Sequence, residues 1–242
     1  MSKIIAVWGS PGSGKTSFAV KLACAVYEQY SAVVLLLSAD LKTPSLPVLF
    51  PDRKADELTS VGVPLSKTEV TQNEVIKSIV TSKDKMNFGV LGYKNGENKY
   101  SYPSFDSQKA NDLLAITQGL AHIVIVDCGS DMDELSKASV QRADTVIRLA
   151  SPDLKSVAFY ASQLPLYTEP SYKTEQHIIG LNITRNDVYM PLEDAKAHFG
   201  GVSFTLPYCR ELKQQMLDGE LFKSLSDKKY NGKLKKITVN LI

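Results

Sequence analysis

The chain has 242 residues, 43% of them hydrophobic and 22% charged, and its 28 basic and 26 acidic side chains leave a formal net charge of +2. That length and apolar content suffice for one sizeable core, and so balanced a charge excludes any argument for nucleic-acid binding from electrostatics alone, leaving DNA an open question. Cys24, Cys128 and Cys209 are odd in number, far apart and lack C-x-x-C spacing, so neither a disulfide framework nor a zinc site is indicated. With no basic-then-apolar leader and no apolar run of spanning length, a cytoplasmic, one-domain protein covering residues 1–242 is expected.

In chain order, Lys3 to Trp8 ("KIIAVW") reads as a short buried strand, and Thr16 to Tyr27 as a helix that is apolar on nearly every side. Between them, in "VWGSPGSGKTSF", Gly9, Gly14, Lys15 and Thr16 satisfy G-x-x-x-x-G-K-[ST] in the strand-loop-helix context that a phosphate-binding loop requires. Glycines let backbone N–H groups close on phosphate oxygens, and the N-terminus of the following helix turns its unpaired N–H groups and positive dipole end to the same anion. Gly9, Ser10, Pro11, Gly12, Ser13, Gly14 and Ser17 are therefore placed around the phosphates, with Lys15 reaching the β- and γ-phosphates and the Thr16 hydroxyl ligating Mg²⁺.

A second strand, Ala32 to Ser38, leads to Asp40, which either positions an attacking water or serves as an ordinary turn aspartate. Residues 42–107 are irregular, with a helix around Glu74 to Ile79, a strand from Asn87 to Tyr93 and a tyrosine-rich loop. A solvated connection is expected there rather than a lid or partner surface. A helix from Ser107 to Gln118 precedes "HIVIVDCGS", where Asp127 falls just past a buried strand, able to hold magnesium-bound water, and Gly129 can offer an N–H to the γ-phosphate. Further strands are expected at Asp144 to Ala150 and His177 to Ile183, with helices at Ser130 to Gln141, Asp153 to Leu164, Pro191 to Phe199 and Arg210 to Leu217. Continuous β-branched and leucine runs mark strands covered on both faces, so the class is α/β: a mostly parallel sheet flanked by helices on both faces.

In the tail, residues 228–242, five lysines stand beside Leu234, Ile237, Val239, Leu241 and Ile242. Ile237, Val239 and Leu241 alternate at period two, which favours a packed or partner-docking strand over an amphipathic membrane anchor.

The series "VWGSPGSGKT", "VVLLLSADLKTPSL", "HIVIVDCGSDMDELSKASVQRADTVIRLASPD", "IIGLNITRND" and "FTLPYCRELKQQMLDGE" resembles the MinD/ParA family of P-loop ATPases over almost the whole chain. The resemblance implies ATP and Mg²⁺ at the carboxyl edge of the sheet, with Lys15, Asp40 and Asp127 in hydrolysis. It places Asn182 on the asparagine that reads adenine and Pro207 and Tyr208 near the base. It also implies a nucleotide-dependent homodimer. Two departures stand out. The family's extra lysine, which crosses to the partner's phosphates, is replaced by Ser10 and Pro11, and the first acid of D-x-D after the second strand is Ser38. Losing a cation where phosphate charge develops implies slow hydrolysis. A P-loop without the signature lysine looks more like TadZ/CpaE-type organisers of pilus or secretion machinery than plasmid-partitioning or septum-site ATPases. A small-molecule kinase is disfavoured because the five arginines do not cluster into a lid, and a GTPase because "LNITRND" lacks N-K-x-D. A nucleotide-binding assembly module that does not hydrolyse remains the non-enzymatic alternative.

Overall fold

The computed structural model describes residues 2–82, 84–187 and 189–242. Elements follow in the order β1 (Lys3–Gly9), α1 (Lys15–Tyr30), β2 (Val34–Ser38), α2 (Leu46–Leu49), α3 (Gly62–Ser66), α4 (Gln72–Ser78), β3 (Val80–Ser82) and β4 (Lys85–Leu91). Then come α5 (Ser107–Leu120), β5 (Ile123–Asp127), α6 (Glu134–Arg142), β6 (Thr145–Ala150), α7 (Leu154–Gln163) and β7 (Ile178–Asn182). The chain ends with α8 (Leu192–His198), β8 (Phe204–Leu206), α9 (Arg210–Leu217) and α10 (Lys228–Leu241).

The strands form one sheet in the order β3-β4-β2-β5-β1-β6-β7-β8, in which only the β3–β4 pair is antiparallel. Alternation along each strand divides the core in two. Ile5, Val7, Leu36, Ile125 and Ile147 face one layer, while Ile4, Ala6, Trp8, Leu37 and Val126 face the other. The first layer is filled by α1 and α10, which explains why α1 is apolar on nearly every side: it is covered by the sheet on one flank and by the C-terminal helix on the other. The second is filled largely by α5, α6 and α7. Aspartate side chains start these helices: Asp106, Asp133 and Asp153 each accept from the backbone N–H three residues on.

The tail is a correction to expectation. Residues 228–241 form a helix, not a strand, capped by Asp227, which accepts from the N–H groups of Lys229 and Tyr230. Tyr230, Leu234, Ile237 and Leu241 are buried at helical spacing, whereas Val239 is 65% exposed. The two-residue alternation was a fragment of a longer three-to-four-residue repeat. Lys3 Nζ donates to the carbonyls of Leu241 (3.2 Å) and Ile242 (2.9 Å), placing a cation at the negative end of α10 and tying it to the first strand.

Two smaller differences have local causes. α6 starts at Glu134 because Asp133, not a residue near Ser130, supplies the cap, and 128–133 remain a loop. Residues 42–107 are more than a solvated connection: Leu46, Leu49, Val61, Leu65 and Val75 are buried. The tyrosine-rich loop is gathered by Glu97, which accepts from Ser60 Oγ (2.6 Å) and Tyr102 Oη (2.6 Å).

Candidate nucleotide site

Parallel pairing brings the ends of β2, β5 and β1 to one edge. Val7 and Ser38 are both in register with Asp127, so the loop after β1 rises beside the last residue of β5. Gly9 is paired with Leu149, and a Cβ there would lie 2.1 Å from the Leu149 carbonyl oxygen, so only glycine lets the chain leave the sheet here. Gly14 has φ 80° and caps α1, and a Cβ on it would come 2.6 Å from Asn182 Nδ2.

Within the loop, Lys15 Nζ donates to Ser130 Oγ (2.6 Å) and to the Ser10 carbonyl (3.3 Å), and Ser130 Oγ in turn donates to the Gly9 carbonyl (2.8 Å). Burial lowers the Lys15 pKa, while Asp127 and Asp40 act in the opposite sense. The Ser10 and Ser156 hydroxyls are 2.7 Å apart, linking the loop to α7. Asn182 Nδ2 donates to the Ser13 carbonyl (2.8 Å), linking it to β7.

Thr16 Oγ1 donates to Asp127 Oδ2 at 2.7 Å. Asp127 Oδ1 is buried with no hydrogen-bond partner, and burial pushes this carboxyl up to about 6 against the opposing effects of Thr16 and Lys15. A lone carboxylate oxygen beside a threonine hydroxyl fits Mg²⁺, which binds through one or two protein oxygens, waters and substrate phosphates rather than a protein cage. Consistent with that, no group of three or more His, Cys, Asp or Glu able to hold a metal occurs among the described residues.

A cavity of about 740 Å³ opens above the loop, within the range of roughly 300–1,000 Å³ for small-molecule and cofactor sites. Pro11, Gly12, Gly14, Lys15, Thr16 and Ser17 form its floor, and Asp40, Asn182, Pro207 and Tyr208 also line it. Of the other residues expected from sequence, Gly9, Ser10, Ser13, Asp127 and Gly129 do not line the cavity. The Gly129 N–H donates to Ser136 Oγ (2.9 Å) rather than standing free for a phosphate. Asp40 forms the turn that one of its sequence readings expected, at the margin of the cavity. It lines the cavity, yet its carboxylate accepts from Lys42 N (2.9 Å), Thr43 N (3.1 Å) and Thr43 Oγ1 (2.7 Å), closing a turn. Ser38, at the end of β2, donates to Ser45 Oγ (2.9 Å).

Sequence reasoning missed Ser130, the direct partner of Lys15, although it directly follows the Gly129 that was singled out. It also missed Lys42, whose ammonium pairs with Asp131 at 2.7 Å at the cavity wall. The walls from Phe159, Met216 and Tyr230 carry no local signal, because they come from α7, α9 and α10, distant in the chain.

No protein-family model matches the chain, and no curated protein matches it either. Solved structures do. A ParA family ATPase from Chlorobium tepidum TLS superposes with a TM-score of 0.81 at 14% identity, covering 100% of this chain and 99% of that one. The septum site-determining protein MinD from Pyrococcus horikoshii OT3, complexed with Mg-ADP, gives a TM-score of 0.72 at 17% identity over 100% and 96%. The MinC:MinD cell division protein complex of Aquifex aeolicus gives 0.74 at 16% over 99% and 96%. The chain has the MinD/ParA fold. On that frame Ser10 of the loop is turned inward to Ser156.

Proposed function

We propose that this chain binds ATP with Mg²⁺ in the cavity above the P-loop and hydrolyses it slowly. It would act as a nucleotide-dependent homodimer that positions or assembles a partner machinery of the pilus or secretion kind. The observation that carries the nucleotide reading is the Thr16–Asp127 pair with its unpartnered buried Oδ1, set beside Lys15 at the N-terminus of α1. That arrangement is costly in isolation and is compensated when a divalent cation and a polyphosphate arrive together.

Each residue has a separate task. Lys15 would exchange Ser130 Oγ for β- and γ-phosphate oxygens. Thr16 and Asp127 would hold Mg²⁺, which would supply positive charge against the phosphates when bound. Asp40 orients the attacking water once its turn with Thr43 opens. Asn182, Pro207 and Tyr208 border the cavity where the base would rest. Lys42 stands on the same wall and supplies, from within one chain, part of the positive charge that Ser10 and Pro11 do not. One intramolecular lysine on an exposed loop is a weaker substitute for a lysine delivered by a partner, which supports slow turnover.

The partner reading rests on resemblance and on the missing lysine; partitioning and septum-site roles are its alternatives. A net charge of +2 gives DNA binding no particular support. Membrane attachment through the tail is disfavoured because the apolar face of α10 is spent on the core. No helix among the described residues is long and apolar enough to cross a membrane.

Calorimetry with ATP and Mg²⁺ on the wild type and Lys15→Ala tests the site. Loss of binding in the variant is expected, and undiminished affinity would overturn it. Phosphate release by the wild type and Asp40→Ala separates the ATPase from a non-hydrolysing module, for which the two rates would be equal.

A further inference from the structure

A second cavity, of about 290 Å³, lies on the far side of α7 from the nucleotide site. Helix α7 separates the two: Phe159 and Gln163 line the first cavity, whereas Val157, Tyr160, Ala161 and Leu164 line the second. The second cavity is otherwise walled by Ile179 of β7 and by Phe199 beyond α8, and it is largely apolar. Its exceptions are Arg148, His198 at the end of α8 and the phenol of Tyr160, and that phenol is already used, donating to the Leu149 carbonyl at 3.0 Å.

Arg148 is an unusual residue for its position. It lies in β6, an interior strand between β1 and β7, opposite Trp8 and Ile179 in the two registers. Its Nε is buried and has no hydrogen-bond partner. Of the remaining donors, one nitrogen reaches the Thr174 carbonyl, at a marginal 3.5 Å. The guanidinium lies 6.0 Å from the centre of the Tyr160 ring, a contact that stabilises positive charge but accepts no N–H bond. No carboxylate lines the cavity, and among the described residues none forms an ion pair with Arg148. The acid that acts on it, Glu175, is exposed and does so only at a distance. His177, just before β7, adds no second positive charge, since burial pushes it down to about 4 and it is neutral near pH 7.

Arginine does not discharge by losing its proton, so a half-buried guanidinium whose buried Nε–H has no partner is stabilised by an anion at its remaining donors. Its planar fork matches the two oxygens of a carboxylate, and the surrounding Val157, Leu164, Ile179 and Phe199 side chains suit an apolar body attached to that carboxylate. A bare inorganic anion would leave those walls unfilled. We infer that the cavity between α7, β7 and the end of α8 is a second ligand site, taking a carboxylate with a small aryl or alkyl body on Arg148. Such a group is found on a free organic acid or at the C-terminus of a peptide ending in an apolar residue. The site is independent of the nucleotide reading, because none of its residues belongs to the P-loop cavity.

The test uses the Nε–H resonances of the five arginines, Arg53, Arg142, Arg148, Arg185 and Arg210, in the ¹⁵N-labelled full chain. The Arg148 signal is assigned by its loss in Arg148→Met. Titration with 3-phenylpropionate should shift that signal saturably, with half-saturation in the roughly millimolar range set by so small a ligand. The neutral amide, 3-phenylpropionamide, should bind at least about tenfold more weakly, because it forfeits the charge-assisted pair. Ala161→Trp, at an exposed position of the cavity lining, should abolish the shift while leaving Arg148 and nucleotide binding in place. N-acetyl-Gly-Gly-Phe with a free or amidated terminus forms a second arm. A shift with the free-terminus peptide assigns a chain end as a source, and a shift with the small acid alone assigns a free organic acid. An Arg148 signal unmoved by either acid below about 10 mM overturns the inference, as do equal shifts from acid and amide or a shift that survives Ala161→Trp.

Discussion

Replacing Asp127 by Asn should make the nucleotide-free protein more stable near neutral pH while destroying its response to Mg²⁺. The wild-type carboxyl is fully buried, accepts one hydrogen bond through Oδ2 and none through Oδ1, and sits at about 6 instead of 3.8. A carboxyl whose folded value is raised stabilises the fold below its unfolded value, and that contribution is lost as pH climbs through the folded value. At pH 7.5 the ionised group therefore carries a penalty of about 3 kcal/mol, from roughly two pKa units at about 1.4 kcal/mol each. Asparagine keeps the acceptor for Thr16 and removes the charge, but it points an N–H₂ group where Oδ1 had no partner, at a cost of about 1–2 kcal/mol. The net gain is about 1–2 kcal/mol at pH 7.5 and about zero at pH 5, where only about half of the penalty has developed and the asparagine's own cost offsets it. Urea denaturation of both proteins at the two pH values, without nucleotide, measures it. Because Asp133 is likewise raised to about 6 in both proteins, only the difference between them is diagnostic. Equal stabilities at pH 7.5, or a difference that does not change with pH, would refute the account of Asp127. ATP binding by Asp127→Asn should no longer be strengthened by Mg²⁺.

Lys42→Ala should slow phosphate release by roughly tenfold or more with no loss of thermal stability, since its ion pair with Asp131 is exposed; an unchanged rate would remove Lys42 from the site. Trp8 is the sole tryptophan, and its indole N–H donates to the Ser130 carbonyl at 3.4 Å, next to the hydroxyl that Lys15 must release. Its emission should therefore change on adding ATP with Mg²⁺ in wild type and stay constant in Lys15→Ala. Ile237→Asp, placing a charge on the buried face of α10, should cost at least about 3 kcal/mol in urea, whereas Val239→Asp should cost almost nothing. Light scattering should show more dimer with ATP than with ADP or no nucleotide, and a strict monomer at high concentration with ATP would count against the dimer.

The P-loop was legible because its geometry is local: Gly9, Gly14, Lys15 and Thr16 need only the strand before and the helix after. Asp127 was legible for a similar reason, as the polar residue ending a continuous apolar run. Asp40 was legible as a residue but not as a role, since a turn and a catalytic carboxylate demand the same side chain at the same place. What escaped was long-range. Phe159, Met216 and Tyr230 reach the cavity from helices whose own patterns report only that they have a buried face. The strands β3 and β8 are three residues each, too short for any periodicity to register. The tail failed differently: five residues of apparent alternation outweighed the Tyr230, Leu234, Ile237, Leu241 spacing, which becomes visible only across three turns.

The two three-residue strands also bound what kind of assembly this protein can enter. At one margin of the sheet β3 runs against its neighbour and is broken by a register shift between Thr81 and Ser82; at the other, β8 pairs over only Phe204 to Leu206. A strand from another molecule would find little continuous backbone at either margin to zip onto. Polymerisation by sheet extension is thereby closed off at both ends, and higher-order structures must grow through the loop-bearing carboxyl edge and the helical faces. Contacts between copies would then be made by side chains around the cavity and along the helices, whose geometry is specific, and not by a backbone ladder that any strand could extend.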